Sequence, residues 1–471
     1  MPMTTPASAA RAARDPSRMA AGRHASMAPR LPVPAFLLAA VAEGTAGVVV
    51  YAYGPVYMRQ GLGEPRLAVV TLVIALASLA TFLLAGRWGR WGDRTGRPGR
   101  LVAMGLGGAA LALATASAAP SSAVFGALVV AVTACLAGVI PLSVAWLTLH
   151  QPDRPAEAAA RLYRARSLGW AAGSFGSGWL ADALGLEGVR LSFYLSAAVA
   201  LVAAVVVARV AGPASAMTRR ASVTIGRAAT DPTAAPQSEI APAATGSPRQ
   251  TTRETAAAPA TTRRTAAATP VPLPAPAGPG ATAGLPIWRF PEVVAIAAAV
   301  LLTASGNEAF FAVFSAYLTE FLGGSNGQVG WALGLASTLG ILIMAPVGRL
   351  ADRWGPRRVF TLGIAGYVGM YALICAFRTP AATVAAFALP LYPLTATGAT
   401  GVISRTLPAA RRGEAIGVYE GSAALAASLG SVAGGLVADA AGLAHVPLVS
   451  LGLAVAGALV AWRWVAGRRD G

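Results

Sequence analysis

Gly89-Arg90-Trp91-Gly92-Asp93-Arg94-Thr95-Gly96 recurs as Gly348-Arg349-Leu350-Ala351-Asp352-Arg353-Trp354-Gly355, at an offset of 259 residues. Each copy follows an apolar run, at 67–85 and 329–347. A second set of matches stands at an offset of 257. There Gly173-Ser174, Gly178 and Ala181-Asp182 correspond to Gly430-Ser431, Gly435 and Ala438-Asp439, and Glu157 corresponds to Glu414. Two separated blocks at nearly one offset indicate duplication of a whole unit, an internal repeat of the kind transporter folds are built from.

The surroundings define that unit. A bilayer core of about 30 Å needs about 20 mostly apolar residues per helix. Runs that meet this fall near 33–58, 67–85, 101–119, 121–149, 163–186, 191–210, 291–322, 329–347, 359–377, 381–404, 414–438 and 444–466, six and then six. Of all residues, 55% are hydrophobic and only 12% charged, where a soluble domain carries about a quarter charged. The expected fold is an all-α membrane protein, with twelve transmembrane helices in two pseudo-symmetric six-helix bundles at 31–211 and 288–467. Residues 1–30 read as a disordered cytoplasmic tail. The stretch 212–287, dominated by Ala, Thr and Pro without a spanning run, reads as a disordered cytoplasmic linker.

The net charge of +18 does not point to nucleic acid, because the basic residues come in short clusters between apolar runs. All 37 are arginine. With the N-terminus inside, only Arg59, Arg66, Arg190 and Arg378 fall in outer loops. Leaving aside the nine between Arg209 and Arg289 in the long connection, 24 remain inside against those four. Both termini are therefore expected in the cytoplasm. An Arg-only, Ala- and Gly-rich composition suggests a GC-rich bacterial genome, so the expected location is a bacterial cytoplasmic membrane. Cys135 and Cys375 sit singly in apolar runs, and His24, His150 and His445 are scattered, so no metal site, cofactor or catalytic triad is expected.

With these residues in hand, the chain resembles the major facilitator superfamily. Gly89-x-x-x-Asp93-Arg94-x-Gly96-Arg97 is similar to that family's signature loop between helices two and three, and Gly348-x-x-x-Asp352-Arg353-x-Gly355 to its copy between eight and nine. Glycine suits a tight reversal or a close helix approach. An aspartate can accept hydrogen bonds at a neighbouring helix N-terminus, and the adjacent arginines can pair with Glu157 or Glu414. The resemblance implies that such contacts shut the cytoplasmic side in the outward-open state; the plainer reading is topogenic charge and a tight turn. Gly169, Gly173 and Gly178, with Gly430, Gly434 and Gly435, have the spacing of helix-packing faces. The fifth helix departs from the family's antiporter signature, with Ser174 in place of Pro and Ser177 in place of Gly.

Carboxyls inside apolar runs are costly and mark candidate sites. Glu43 and Glu308 lie in the equivalent first and seventh helices, where Glu43 aligns opposite Asn307 and Tyr53 opposite Tyr317. Both are candidates for proton coupling or for binding a cationic or hydroxylated substrate; a protonated, hydrogen-bonded Glu is the simpler alternative. Glu420 can bind substrate or pair with Arg164 or Arg166. Phe310, Phe314 and Tyr317 share one helical face and either line a cavity or pack the core. The expected function is secondary active transport of a small organic solute by alternating access, proton-coupled, by a monomer in the lipid bilayer, with efflux and uptake both open. No ATP-binding loop is present. The alternatives are a transport-dead membrane sensor and a membrane-embedded enzyme acting on a lipid-linked substrate.

Overall fold

The computed structural model describes residues 33–150, 155–229 and 286–466. The expected tail at 1–30 lies outside the described residues, as does the linker from 230 to 285. No strand occurs among the described residues. Twelve helices build the body: α1 (Val33–Gly61), α2 (Leu67–Thr95), α3 (Pro98–Ala116), α4 (Ser122–Leu147), α5 (Pro155–Leu184), α6 (Leu186–Ala229), α7 (Pro291–Phe321), α8 (Asn326–Trp354), α9 (Pro356–Ala376), α10 (Pro380–Thr406), α11 (Ala409–Ala441) and α12 (Leu443–Trp464). Eleven contain a segment long and apolar enough to span a membrane. The other, α5, has 30 residues, but Gly, Ser and charged side chains dilute its apolar run. The backbone of α6 continues as helix beyond residue 211, the boundary expected from composition. Contacts divide the chain into the helical body and a second unit, Met217–Arg289.

Helices α1–α6 and α7–α12 form two pseudo-symmetric bundles. In each, the first helix packs on the fifth, α1 on α5 and α7 on α11, while α2 crosses to α11 and α8 to α5. Lipid supplies no hydrophobic force between helices, so close packing depends on small residues. Gly169 lies against the Val41 backbone and Gly173 against Thr45 and Val48 of α1. In the second bundle Gly430 lies against Ser305, and Gly434 against Ala309, of α7. The last pair of the repeat serves a different seam. Gly178 abuts Gly330 of α8, and Gly435 abuts Ala68 and Thr71 of α2, so both join one bundle to the other.

The signature segments, expected as loops, are mostly helix. The first helix of each pair runs to Thr95 or Trp354, and the chain reverses at Gly96 (φ +60°) and Gly355 (φ +87°). A side chain is strained at such φ, which fixes glycine there. Pro98 and Pro356 then open the next helices, where a missing N–H costs nothing. Gly89 and Gly348 do not follow the expectation of close approach: a Cβ at either would meet nothing within 4 Å.

Because Gly169 faces backbone that no rotamer change can clear, Gly169→Leu should destabilise the protein by about 1–3 kcal/mol or more through overpacking. Thermal unfolding of purified protein in detergent checks this. Gly89→Ala, at an open position inside a helix, should hold the midpoint or raise it, by about 0.5–1 kcal/mol at most.

Candidate functional site: the cleft between the bundles

Among the described residues, hydrogen bonds and ion pairs between the bundles gather at the end away from the signature turns. Arg59 at the end of α1 pairs with Glu320 at the end of α7 at 2.6 Å. The Asp182 carboxylate of α5 accepts from Ser325 Oγ and the Gly327 amide, each at 2.8 Å. The Asp439 carboxylate of α11 accepts from the Leu67 and Ala68 amides at 2.8 and 2.9 Å. Deeper in, the buried Tyr53 hydroxyl donates to the Ser174 carbonyl within the first bundle and reaches the Asn326 carbonyl of the second at 3.5 Å. Ser428 Oγ meets the Ala75 carbonyl near mid-helix.

Tyr163 of α5 and Tyr392 of α10 are within electrostatic reach of each other across the divide, yet they are 51% and 61% exposed. Together with Glu420 of α11 they mark the face between the bundles toward the arginine-rich end as the candidate site.

Two carboxyls of the repeat face this site in unlike surroundings. Glu43 on α1 takes a two-pronged contact from Arg166 on α5, Nε to Oε2 at 2.6 Å and Nη2 to Oε1 at 3.1 Å. Glycine builds this pair: Gly44 meets the Arg166 carbonyl and Gly169 the Val41 carbonyl, so the two helix backbones touch where the side chains meet. Glu308 on α7 has no cationic partner among the described residues. It is half-buried against Gly430, beside Asn307, with Tyr51, Tyr367 and Tyr371 within electrostatic reach. The Tyr371 hydroxyl donates to Asn307 Oδ1 at 3.1 Å and fixes that amide next to the carboxyl. Glu420 on α11 is exposed and near Tyr163, Tyr392 and Tyr419. The expected pairing of Glu420 with Arg166 is not observed, because Glu43 holds that guanidinium, and Arg164 forms no ion pair with Glu420 either.

Other expectations fare differently. Phe310, Phe314, Tyr317 and Tyr53 do not line the cleft: all are at most 1% exposed. Phe310 makes edge contacts with Phe314, Tyr317 and Tyr371, and Phe314 stacks on Phe387 at 4.4 Å inside the second bundle. At the arginine-rich end Asp93, Arg94, Arg97, Asp352 and Arg353 are exposed. The expected pairs from Arg94 or Arg353 to Glu157 or Glu414 are not formed. Glu157 pairs with Arg161 and Glu414 with Arg411, each along its own helix. No group of three or more metal-type ligands occurs among the described residues.

The role of Arg166 escaped the sequence reading, although a signal existed. It precedes Gly169 by three residues, on the packing face of α5, and Glu43 precedes Gly44 on the matching face of α1. The tyrosines at 51, 163, 367, 371, 392 and 419 carry no motif and meet only in the fold.

Two membrane-spanning bundles clasped at one end, with charged and aromatic side chains gathered between them toward the other, have the build of a membrane transporter. The chain belongs to the Major Facilitator Superfamily, whose sequence model matches residues 30–265 and 296–471. No curated protein matches it in sequence. Among solved structures, the nucleoside transporter NupG superposes with a TM-score of 0.63 at 12% identity, over 92% of this chain and 98% of that one. A bacterial homologue of the human lysosomal transporter Spinster gives 0.65 at 14% identity, over 93% and 98%. A D-xylose–proton symporter gives 0.64 at 13% identity, over 92% and 97%. At these identities the likeness concerns the fold.

Removing only the guanidinium leaves Glu43 facing α5 without a counter-ion. Arg166→Ala should cost about 1–3 kcal/mol, discounted for its partial exposure. The double substitution Glu43→Ala with Arg166→Ala should recover part of that loss. Thermal melts of the four proteins complete the cycle.

Proposed function

We propose that this transporter is a proton-coupled secondary carrier of a small organic solute. It acts as a monomer by alternating access in a bacterial cytoplasmic membrane. The excess of 24 arginines over four supports an orientation with the signature turns, both termini and a 212–287 linker between bundles 31–211 and 288–467 in the cytoplasm. On that orientation the cleft is open to the cytoplasm. Two of the similar structures, the Spinster homologue and a bacterial homologue of the iron transporter ferroportin, are described as inward-facing. The exposed Asp93 and Asp352 turns, with Glu157 and Glu414, then belong to a cytoplasmic gate standing open, which closes when the cleft opens outward.

Glu308 carries the coupling assignment. A carboxylate in apolar surroundings is costly unless paired or protonated, and Glu308 has tyrosines and an amide around it where Glu43 has an arginine. Proton binding at Glu308 therefore replaces the missing counter-ion, and proton loss follows when the cleft opens to water. Glu43, neutralised by Arg166, holds α1 to α5 and keeps a fixed charge pair at the cleft wall. The solute binds between the bundles, against Glu308, Asn307 and the cleft tyrosines. Two of the similar folds are described as a nucleoside transporter and a D-xylose–proton symporter, which supports a hydroxylated solute, and the direction of transport stays open.

In proteoliposomes under an imposed pH gradient, a panel of nucleosides, sugars and organic amines should include a solute that accumulates. Glu308→Gln should lower gradient-driven accumulation by about tenfold or more while solute exchange without a gradient persists, because only the proton is lost from the cycle. Undiminished gradient-driven accumulation in Glu308→Gln would overturn the assignment. A total absence of flux would favour the transport-dead sensor.

A further inference from the structure

We infer that Asp182 and Asp439 are the two halves of a symmetric latch that holds the transporter closed at the end opposite the signature turns. Its release sets how often that end opens. The inference rests on the two ends opening in alternation, and it names the residues that govern the far one.

Four observations carry it. Both contacts bridge the bundles, α5 to α8 and α11 to α2. They are copies of one another: the carboxylates are 257 residues apart, and the receiving amides of Ala68 and Gly327 are 259 apart, the two offsets of the internal repeat. The donors are the first amides of α2 and α8, which have no partner inside their own helix and present the positive end of the helix dipole to the carboxylate. Glycine then brings the bundles close enough: Gly327 stands where a Cβ would run into the Asp182 carboxylate, and Gly435, one helical turn from Asp439, is pressed on Ala68 and Thr71.

The same features make the contact releasable. Carboxylate and amides sit at the ends of their helices, where water can solvate both once they separate. A buried ion pair in lipid would have no such exit. Each lever helix also carries an aspartate at its other end, Asp93 on α2 and Asp352 on α8, and those are exposed while the latch is engaged. Helices α2 and α8 thus meet an aspartate of the other bundle with their first amides at the far end, and carry an exposed aspartate of their own at the other. Arg59–Glu320, at 22% and 32% side-chain exposure, flanks the latch on the axis between its halves and adds a screened contact.

The test reads conformation, so it is independent of which solute is carried or whether protons drive it. Spin labels at Leu184→Cys and His445→Cys, both exposed at the far end of opposite bundles, are placed in a Cys135→Ser, Cys375→Ser background. Distances are measured by pulsed electron resonance in nanodiscs. Asp182→Asn or Asp439→Asn should raise the long-distance, far-end-open population about tenfold relative to the closed one, and the pair together by more, since a charge-assisted hydrogen bond is worth about tenfold or more in an equilibrium. Ser325→Ala, which removes one donor and leaves the carboxylate, should shift it the same way by less. Asp93→Asn and Asp352→Asn, at the open end, should not widen the far end. Unchanged distances in a monodisperse Asp182→Asn/Asp439→Asn protein would overturn the latch and leave the transporter assignment standing. Loss of flux in proteoliposomes with normal distance shifts would instead count against the coupling scheme alone.

Discussion

Packing in a bilayer cannot draw on the hydrophobic effect, because lipid is as apolar as the side chains it would release. The bundles here depend on backbone-to-backbone approach at small residues. Gly169 and Gly173 dock α5 on α1, and Gly430 and Gly434 dock α11 on α7. The seams between the bundles, at Gly178–Gly330 and Gly435–Thr71, occupy only the far half of the same helices. The hydrogen-bonded aspartates and the Arg59–Glu320 pair lie at that same end, so the polar contacts reinforce the geometry that glycine already imposes.

Duplication set the frame, and divergence inside it made the site. First helices of both repeats bring a carboxyl to similar depth, but only the first repeat answers with an arginine from its fifth helix. Ser305 and Glu308 of α7 press on Gly430 with no cation nearby, where Glu43 of α1 meets Arg166. One half therefore holds a charge pair that is complete in itself, and on the proposed reading the other holds a carboxyl that takes its partner from outside the chain. That difference assigns separate tasks to two positions that the repeat alone makes equivalent.

The helix count, the halves and their register were legible because they rest on length, hydropathy and repeat offset, which are local or strictly periodic. The glycine faces of α5 and α11 were legible for the same reason. Side-chain partners across helices were not. Phe310, Phe314 and Tyr317 share a face of α7, and periodicity could not say whether that face meets a cleft or Phe387; the fold buries it. Arg166 was available to two carboxyls, and only the contact of Gly169 with Val41 decides for Glu43. The clasping contacts of Asp182 and Asp439 depend on helices that start in the other repeat, 143 and 372 residues away in sequence. The matched offset marked both aspartates as repeated without indicating what they touch.

A cleft that must be wet in one state and sealed in the next cannot carry many permanent charges, since each must be desolvated when it closes. Four of the ten tyrosines, Tyr51, Tyr163, Tyr367 and Tyr392, gather around this one without being fully buried. They provide hydroxyls for hydrogen bonding and rings for contact while staying neutral, so sealing them costs only what their hydrogen bonds fail to recover. Glu43 and Arg166 cancel one another. What remains uncompensated is Glu308, with Glu420 nearer the mouth. On the proposed reading, closing the cleft thus requires a proton or a bound solute to neutralise those carboxyls, and an empty, deprotonated cleft resists closure. That resistance makes the movement of one species conditional on the other, and it follows from charge inventory before any substrate is specified.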